Sequence, residues 1–176
     1  MEIATLGGGC FWCIEAVFAR LNGISNVISG YAGGLTPDPT YQQICTGKTG
    51  HAEVVQITFT SDILSFLDIL NLFFVLHDPT TLNRQGADVG TQYRSVIFYH
   101  TATQRETVDQ VIQEINAAKM LNGPIVTEVT PFDRFYPAEE YHQQYYGRNP
   151  NMGYCRAIIA PKIDKLQKLF FEKMRK

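Results

Sequence analysis

Residues 3–18 read IATLGGGCFWCIEAVF, and the fold class turns on how that stretch divides. The first residues form a short apolar strand that runs into a glycine turn. From Cys10 onward Phe11, Ile14, Val17, Phe18 and Leu21 recur at helical spacing, and Asn22-Gly23 marks the end of that helix. Strand, turn and helix in this order make a first β-α unit. Residues 24–34, ISNVISGYAGG, alternate like a second strand ending at Gly33-Gly34. Residues 35–51 are loop-rich, with one helical turn at Tyr41 to Cys45. Residues 52–60, AEVVQITFT, are the clearest strand: Val54, Gln56, Thr58 and Thr60 share one face, and Val55, Ile57 and Phe59 the other.

The same reading continues to the C-terminus. A buried helix occupies 62–78, DILSFLDILNLFFVLHD, which Ser65, Asp68 and Asn71 make too polar to span a bilayer. A turn-rich segment at 77–92 leads to a strand in 93–100, a helix over Thr103 to Met120, and a strand in 124–130. A tail rich in Tyr, His and Asn carries Cys155. Six of the fifteen Lys and Arg lie in residues 162–176, the solvated face of a terminal amphipathic helix. Strands interleaved with helices predict a layered α/β arrangement whose sheet order is not readable.

The chain of 176 residues is expected to form a single catalytic domain, 1–176. With 45% hydrophobic and 18% charged residues it has an ordinary globular composition. A net charge of −2 gives no reason to expect nucleic acid or an anionic membrane as partner. No targeting segment is visible at the N-terminus, so a soluble cytoplasmic protein is expected. In a reducing cytosol four cysteines point to free, catalytic or metal-binding thiols rather than a static disulfide framework.

Chemistry concentrates at GGGCFWC, residues 7–13. At a helix start unpaired backbone N–H groups and the positive end of the dipole favour a thiolate at Cys10 and lower its pKa. Cys13 lies on the same helix face. Phe11 and Trp12, the only tryptophan, give aromatic walls suited to a small apolar or thioether ligand. Three readings of the bare CxxC stay open: a redox pair, half a zinc site, or plain packing. The zinc reading weakens because no second CxxC or HxxxH follows. Glu53 would share a face with Val55, Ile57 and Phe59, where burial raises a carboxyl pKa as a general acid requires. Asp88 and Tyr93 lie in a polar loop entering a strand, and Tyr41 follows Pro39; such phenols can hydrogen-bond a polar oxygen.

Taken together GGGCFWC, GYAGG, PTYQQICTGKTGHAE, HDPTTLNRQGADVGTQYRS, EEYHQQYY and NPNMGYC resemble the A-type peptide methionine sulfoxide reductases over about residues 3 to 160. The resemblance implies an α+β fold, a two-layer α/β sandwich with a ferredoxin-like core and a partly irregular C-terminal tail. It implies reduction of methionine S-sulfoxide, in proteins and free, as repair of oxidised proteins. In that scheme Cys10 is the nucleophile and Glu53 protonates the sulfoxide oxygen. Tyr41 and Tyr93 hydrogen-bond that oxygen, Asp88 supports the polar side, and Phe11 and Trp12 hold the substrate methyl. Thioredoxin is the implied reductant; no cofactor or metal is implied, and a monomer is expected.

Cys10 sulfenic acid would then condense with a second thiol. Both Cys13 and Cys155 are available as the resolving cysteine. Cys13 is favoured to act first, although an i,i+3 disulfide strains a regular helix; Cys155 lies in a Gly-, Asn- and Pro-rich tail able to move. Cys45 and His142 read as structural. Two competing classes remain: a thioredoxin-like disulfide oxidoreductase, and a binding or zinc module without turnover. Neither accounts for the whole set of segments.

Overall fold

The computed structural model describes residues 1–175. In chain order the elements are β1 (Glu2–Gly7), α1 (Phe11–Phe18), β2 (Ile24–Ala32), α2 (Tyr41–Cys45), β3 (Ala52–Phe59), α3 (Phe66–Leu76), β4 (Arg84–Gln85), β5 (Asp88–Val89), β6 (Val96–Tyr99), α4 (Ala102–Ala118), β7 (Glu128–Pro131), β8 (Phe135–Pro137), α5 (Tyr145–Arg148) and α6 (Ala160–Phe170). Six strands form one sheet in the order β7-β6-β1-β3-β2-β8, and β4 and β5 form a separate small hairpin.

The connectivity explains that order. Strand β3 runs antiparallel between β1 and β2, with Leu6 opposite Val55 and Tyr31 opposite Glu53. Strand β1 in turn lies between β3 and β6, antiparallel to both. Two strand–helix–strand units, through α1 and through α3, therefore interleave, which is the ferredoxin-like arrangement. Strand β7 extends the sheet in parallel with β6, and β8 closes the other edge against β2. That edge is possible because residue 30 is glycine: a Cβ there would sit 2.4 Å from the Phe135 ring.

Local chemistry places the helices. Ser65 Oγ accepts from the Asp68 N–H at 3.1 Å while Asp68 Oδ2 accepts from the Ser65 N–H at 3.1 Å, a capping box that opens α3. This is why the helix begins at Phe66 and not at Asp62. Thr40 and Gln43 make the same motif for α2, the helical turn expected at Tyr41 to Cys45. Helix α1 ends at Phe18, short of Asn22, because the chain tightens: Arg20 N–H donates to Val17 O and Leu21 N–H to Phe18 O, both at 3.1 Å. The strand expected from residue 93 starts at Val96 because Thr91–Tyr93 form a 3-10 turn. The strand expected from residue 124 starts at Glu128. Before it, the Val126 N–H is spent on the Pro79 carbonyl at 2.8 Å.

The main core gathers Leu6, Phe11, Ile14, Val17 and Phe18 with Val55, Ile57 and Phe59 and with Ile69, Leu70 and Phe73. Helix α1 is thus buried between the sheet and the C-terminal helices. No helix among the described residues is long and apolar enough to cross a membrane.

Candidate active site

Cys10 is the last extended residue before α1, with φ −62° and ψ 126°. Gly9 makes the turn that delivers it, at φ +98°, where a Cβ would also meet Gln85 Cγ at 2.7 Å. The first free N–H of the helix, from Phe11, donates to Glu53 Oε2 at 3.1 Å. The helix start thus fixes the carboxyl of β3 beside the thiol. Glu53 is 2% exposed. Burial pushes its pKa up to about 8 even though the Phe11 bond pulls it down, as the alternation of β3 predicts.

Loops bring in the rest. Strands β4 and β5 present Asp88, whose Oδ2 accepts from the Tyr154 hydroxyl at 2.9 Å. Gln85 pins that hairpin, accepting from the Asp78 N–H at 3.1 Å and donating to the Asp78 carbonyl at 3.0 Å. Arg94 ties the Tyr93 turn to the loop before Glu53, donating to the Gly50 carbonyl at 3.1 Å and pairing with Glu128 at 3.0 Å. Glu139 accepts from the Tyr41 N–H and from the Tyr31 and Tyr141 hydroxyls, each at 3.1 Å. Trp12 Nε1 donates to His142 Nδ1 at 3.0 Å, and its ring stacks on Tyr145 at 3.7 Å.

These contacts close a cavity of ≈ 180 Å³ lined by Cys10, Phe11, Trp12, Tyr41, Glu53, Asp88 and Tyr93, with Tyr154 as an eighth wall. Seven sequence-predicted residues therefore converge on one space. A larger cleft of ≈ 330 Å³ between Arg20, Tyr146 and Arg175 includes none of them. Burial raises the pKa of Tyr41, Tyr93 and Tyr154, so all three are protonated donors. The cavity has an aromatic side from Phe11 and Trp12 and a side of proton donors.

Two sequence expectations need correction. Cys10 does sit at the helix start, and the Trp12 N–H acts on it in the expected direction. Yet burial first, then Cys13 and the Glu53 charge, hold its pKa well above the ordinary thiol value. The lowered thiol is Cys13, brought to about 7 mainly by hydrogen bonding with Cys10. Second, Cys155 does not lie in an open tail. It is fully buried at the start of a π-helical turn, Cys155–Ile159, that leads into α6, and burial and the neighbouring Cys13 raise its pKa. All four cysteines are free thiols, with Cys45 exposed. Neither Cys13 nor Cys155 lines the larger space beside Cys10.

Sequence reasoning missed Tyr154, Tyr145, Glu139 and Glu15. Glu15 is buried in α1, and its carboxylate accepts from the Gln144 N–H at 2.9 Å, holding the tail over the helix. An acid inside an otherwise apolar helical stretch was the available signal. Tyr154 had only its place beside Cys155. Among the described residues no group of three or more His, Cys, Asp or Glu is placed to hold a metal ion.

Comparison with known proteins agrees with this geometry. The family described as "Peptide methionine sulfoxide reductase" matches residues 2–174. The chain is 54% identical over 175 residues to the peptide methionine sulfoxide reductase MsrA of Saccharolobus solfataricus, covering 99% of this chain and 98% of that one. Among solved structures it is similar to reduced Mxr1 of Saccharomyces cerevisiae, with a TM-score of 0.80 at 34% identity over 88% of each chain. It is also similar to Mxr1 in complex with Trx2, with a TM-score of 0.56 at 25% identity over 82% of this chain and 84% of that one.

Proposed function

The chain belongs to the peptide methionine sulfoxide reductase family, and on that premise we propose that it reduces methionine S-sulfoxide, free and in oxidised proteins, through a sulfenic acid on Cys10. The observation that carries the reading is the single cavity that joins Cys10 to a neutral Glu53, three phenols and the Phe11–Trp12 wall. A sulfoxide is polar at oxygen and apolar at methyl, and the two sides of the cavity match those two ends.

The methyl group rests against Phe11 and Trp12. The sulfoxide oxygen takes hydrogen bonds from Tyr41 and Tyr93 and the proton of Glu53, which makes the sulfur electrophilic. Attack by the Cys10 sulfur forms a sulfur–sulfur bond in the transition structure and transfers the oxygen, leaving methionine and Cys10 sulfenic acid. The proton that Glu53 gives to the oxygen stays on the sulfenic acid and the proton lost by the Cys10 thiol replaces it on Glu53, so the step neither takes nor releases a net proton. Asp88 orients Tyr154 on the polar side.

Cys13 then attacks the sulfenic sulfur: the S–S bond forms, the S–O bond breaks, and water leaves. Its thiol is the more acidic of the pair and hydrogen-bonds with Cys10, which favours it as first partner over Cys155, whose pKa is raised. A thioredoxin dithiol reduces the bridge, as the Mxr1–Trx2 complex suggests by analogy, and four free cysteines suit a reducing cytosol. Residues 1–176 act as one catalytic domain.

The test is single-turnover reduction of a methionine-S-sulfoxide peptide without added reductant, in wild type and in Cys10→Ser, Cys13→Ser and Cys155→Ser. Loss of methionine formation in Cys10→Ser alone is expected, and disulfide mapping of the others names the resolving thiol. Methionine release from Cys10→Ser at the wild-type rate would refute the nucleophile.

A further inference from the structure

Cys13 lines a second, smaller cavity of ≈ 10 Å³, where it meets Phe73, Leu76, His77 and Lys162. Its lining residues are apolar apart from Cys13, His77 and Lys162. His77 is saturated. Nδ1 lies 2.6 Å from the Phe73 carbonyl and must donate to it, so Nε2 accepts from the Ser95 hydroxyl at 2.7 Å. Burial brings its pKa down to about 4, so the ring is neutral at ordinary pH.

Lys162 is the remaining charge. Two other lysines near α3 are committed: Lys165 donates to the Val75 carbonyl at 3.0 Å, and Lys173 pairs with Asp68 at 2.8 Å. Lys162 appears in no ion pair or side-chain hydrogen bond among the described residues. It is half-buried on the face of α6 that carries Ile163 and Leu166 inward. A half-buried lysine lays its stem against an apolar wall while its ammonium keeps contact with water, and with no other partner that ammonium can turn to an anion formed at the pocket. The anion available there is the Cys13 sulfur.

We propose that Lys162 is a positioning residue for the second half of the reaction: its ammonium stabilises the Cys13 thiolate as it attacks Cys10 sulfenic acid. The inference rests on Cys13 being the resolving cysteine. In that step the thiolate sulfur is oxidised and the sulfenic sulfur reduced; the hydroxyl group leaves and takes up the proton that Cys13 gave away, as water. Once thioredoxin attacks the bridge at Cys10, the same ammonium stabilises Cys13 as the departing thiolate.

Other groups around Cys13 act in both directions. Cys10 and the Tyr154 hydroxyl, 3.7 Å from Cys13 Sγ, donate to a thiolate. The Asp88 carboxylate opposes it, as do the charge of an ionised Glu53 and the neighbouring Cys155. Lys162 is the full positive charge that works in its favour.

The experiment is rapid-quench single turnover on the full chain with a methionine-S-sulfoxide peptide, from about pH 6 to about pH 9. Methionine release and the Cys10–Cys13 bridge are followed separately by mass spectrometry in wild type, Lys162→Met and Lys162→Arg, at low and high salt. In Lys162→Met the bridging profile is expected to move up by about one pH unit, slowing the step about fivefold at neutral pH, where Cys13 is near its pKa of about 7, and about tenfold at the acid end of the range. Lys162→Arg restores it, and added salt slows wild type toward the Met variant because the lysine is partly exposed. An unmoved bridging profile in Lys162→Met overturns the proposal. So does a loss that Arg does not rescue, or one shared equally by methionine release. If wild type bridges Cys10 to Cys155 instead, the assignment of Cys13 fails and the proposal with it. That outcome is read from wild type alone and is distinct from a failure of the lysine.

Discussion

Glu53→Gln removes one titratable proton and little else. The amide oxygen can still accept from the Phe11 N–H, which now meets Glu53 Oε2 at 3.1 Å, so the helix start keeps its partner. The amide cannot release a proton to the sulfoxide oxygen. With a pKa of about 8, the wild-type acid is about nine-tenths protonated at neutral pH. The single-turnover rate of methionine formation should therefore fall about tenfold per pH unit above that value. In the Gln variant the rate should drop by about 10²–10⁴-fold and the alkaline limb traced to Glu53 should vanish. A rate within a few-fold of wild type, still carrying that limb, would refute the acid role.

The same burial predicts a stability cost of defined sign. The native state raises the pKa of Glu53 from 4.5 to about 8. Between those values the unfolded chain has lost a proton that the folded chain keeps, so this group lowers stability as pH rises through the interval. At neutral pH the deficit is roughly 3 kcal/mol, and it approaches zero near pH 4. Glu53→Gln should thus shift the urea midpoint upward at neutral pH and converge on wild type in acid. An equal difference at both pH values would show that the carboxyl is not held protonated by the fold.

His142→Phe keeps ring packing but takes away the acceptor of the Trp12 N–H; KM should rise about 3- to 10-fold with a smaller change in kcat. Because Trp12 is the only tryptophan, its emission should shift as acid protonates His142 below the usual imidazole range, and the Phe variant should lack that transition. Gly9→Ala forces a side chain onto φ +98° and against Gln85; urea unfolding should show a loss of about 1–3 kcal/mol, with activity falling as the hairpin bearing Asp88 shifts. Ser65→Ala removes the α3 cap and should cost about 1 kcal/mol, read as a lower Tm with kcat unchanged.

What the sequence disclosed was what depends on near neighbours. The face of β3 that buries Glu53 follows from a period of two over eight residues, and the turn at Tyr41 from a cap three residues long. The strand that runs into Gly7 and the helix that follows Cys10 are likewise local. Sheet order depends on β1 entering between β3 and β6, and nothing within β1 encodes that choice. The Tyr154–Asp88 bond spans 66 residues and the Glu15–Gln144 bond 129. The sign of the Cys10 shift failed for the same reason. Helix-start donors are local and were counted; burial comes from a distant tail that Glu15, Glu139 and His142 hold down.

Burial, Cys13 and the Glu53 charge together set the resting state of Cys10. Negative charges around the helix start oppose one another: the Glu53 charge raises the pKa of the Cys10 thiol, and the Asp88 and Cys13 charges raise that of Glu53. With Glu53 protonated, the charge on it that disfavours a thiolate at Cys10 is absent. The site therefore rests with both protons in place, which matches a transfer of oxygen from sulfoxide to thiol that consumes none. Of the two sulfurs it is Cys13, its pKa brought to about 7 mainly by the hydrogen bond with Cys10, that gives up its proton more readily near neutral pH. On the proposed route, a sulfenic acid on Cys10 makes that sulfur the electrophile and leaves the lower-pKa sulfur, Cys13, as the nucleophile. On that route one pair of thiols supplies both steps, Cys10 as the sulfur that takes the oxygen and Cys13 as the sulfur that displaces it.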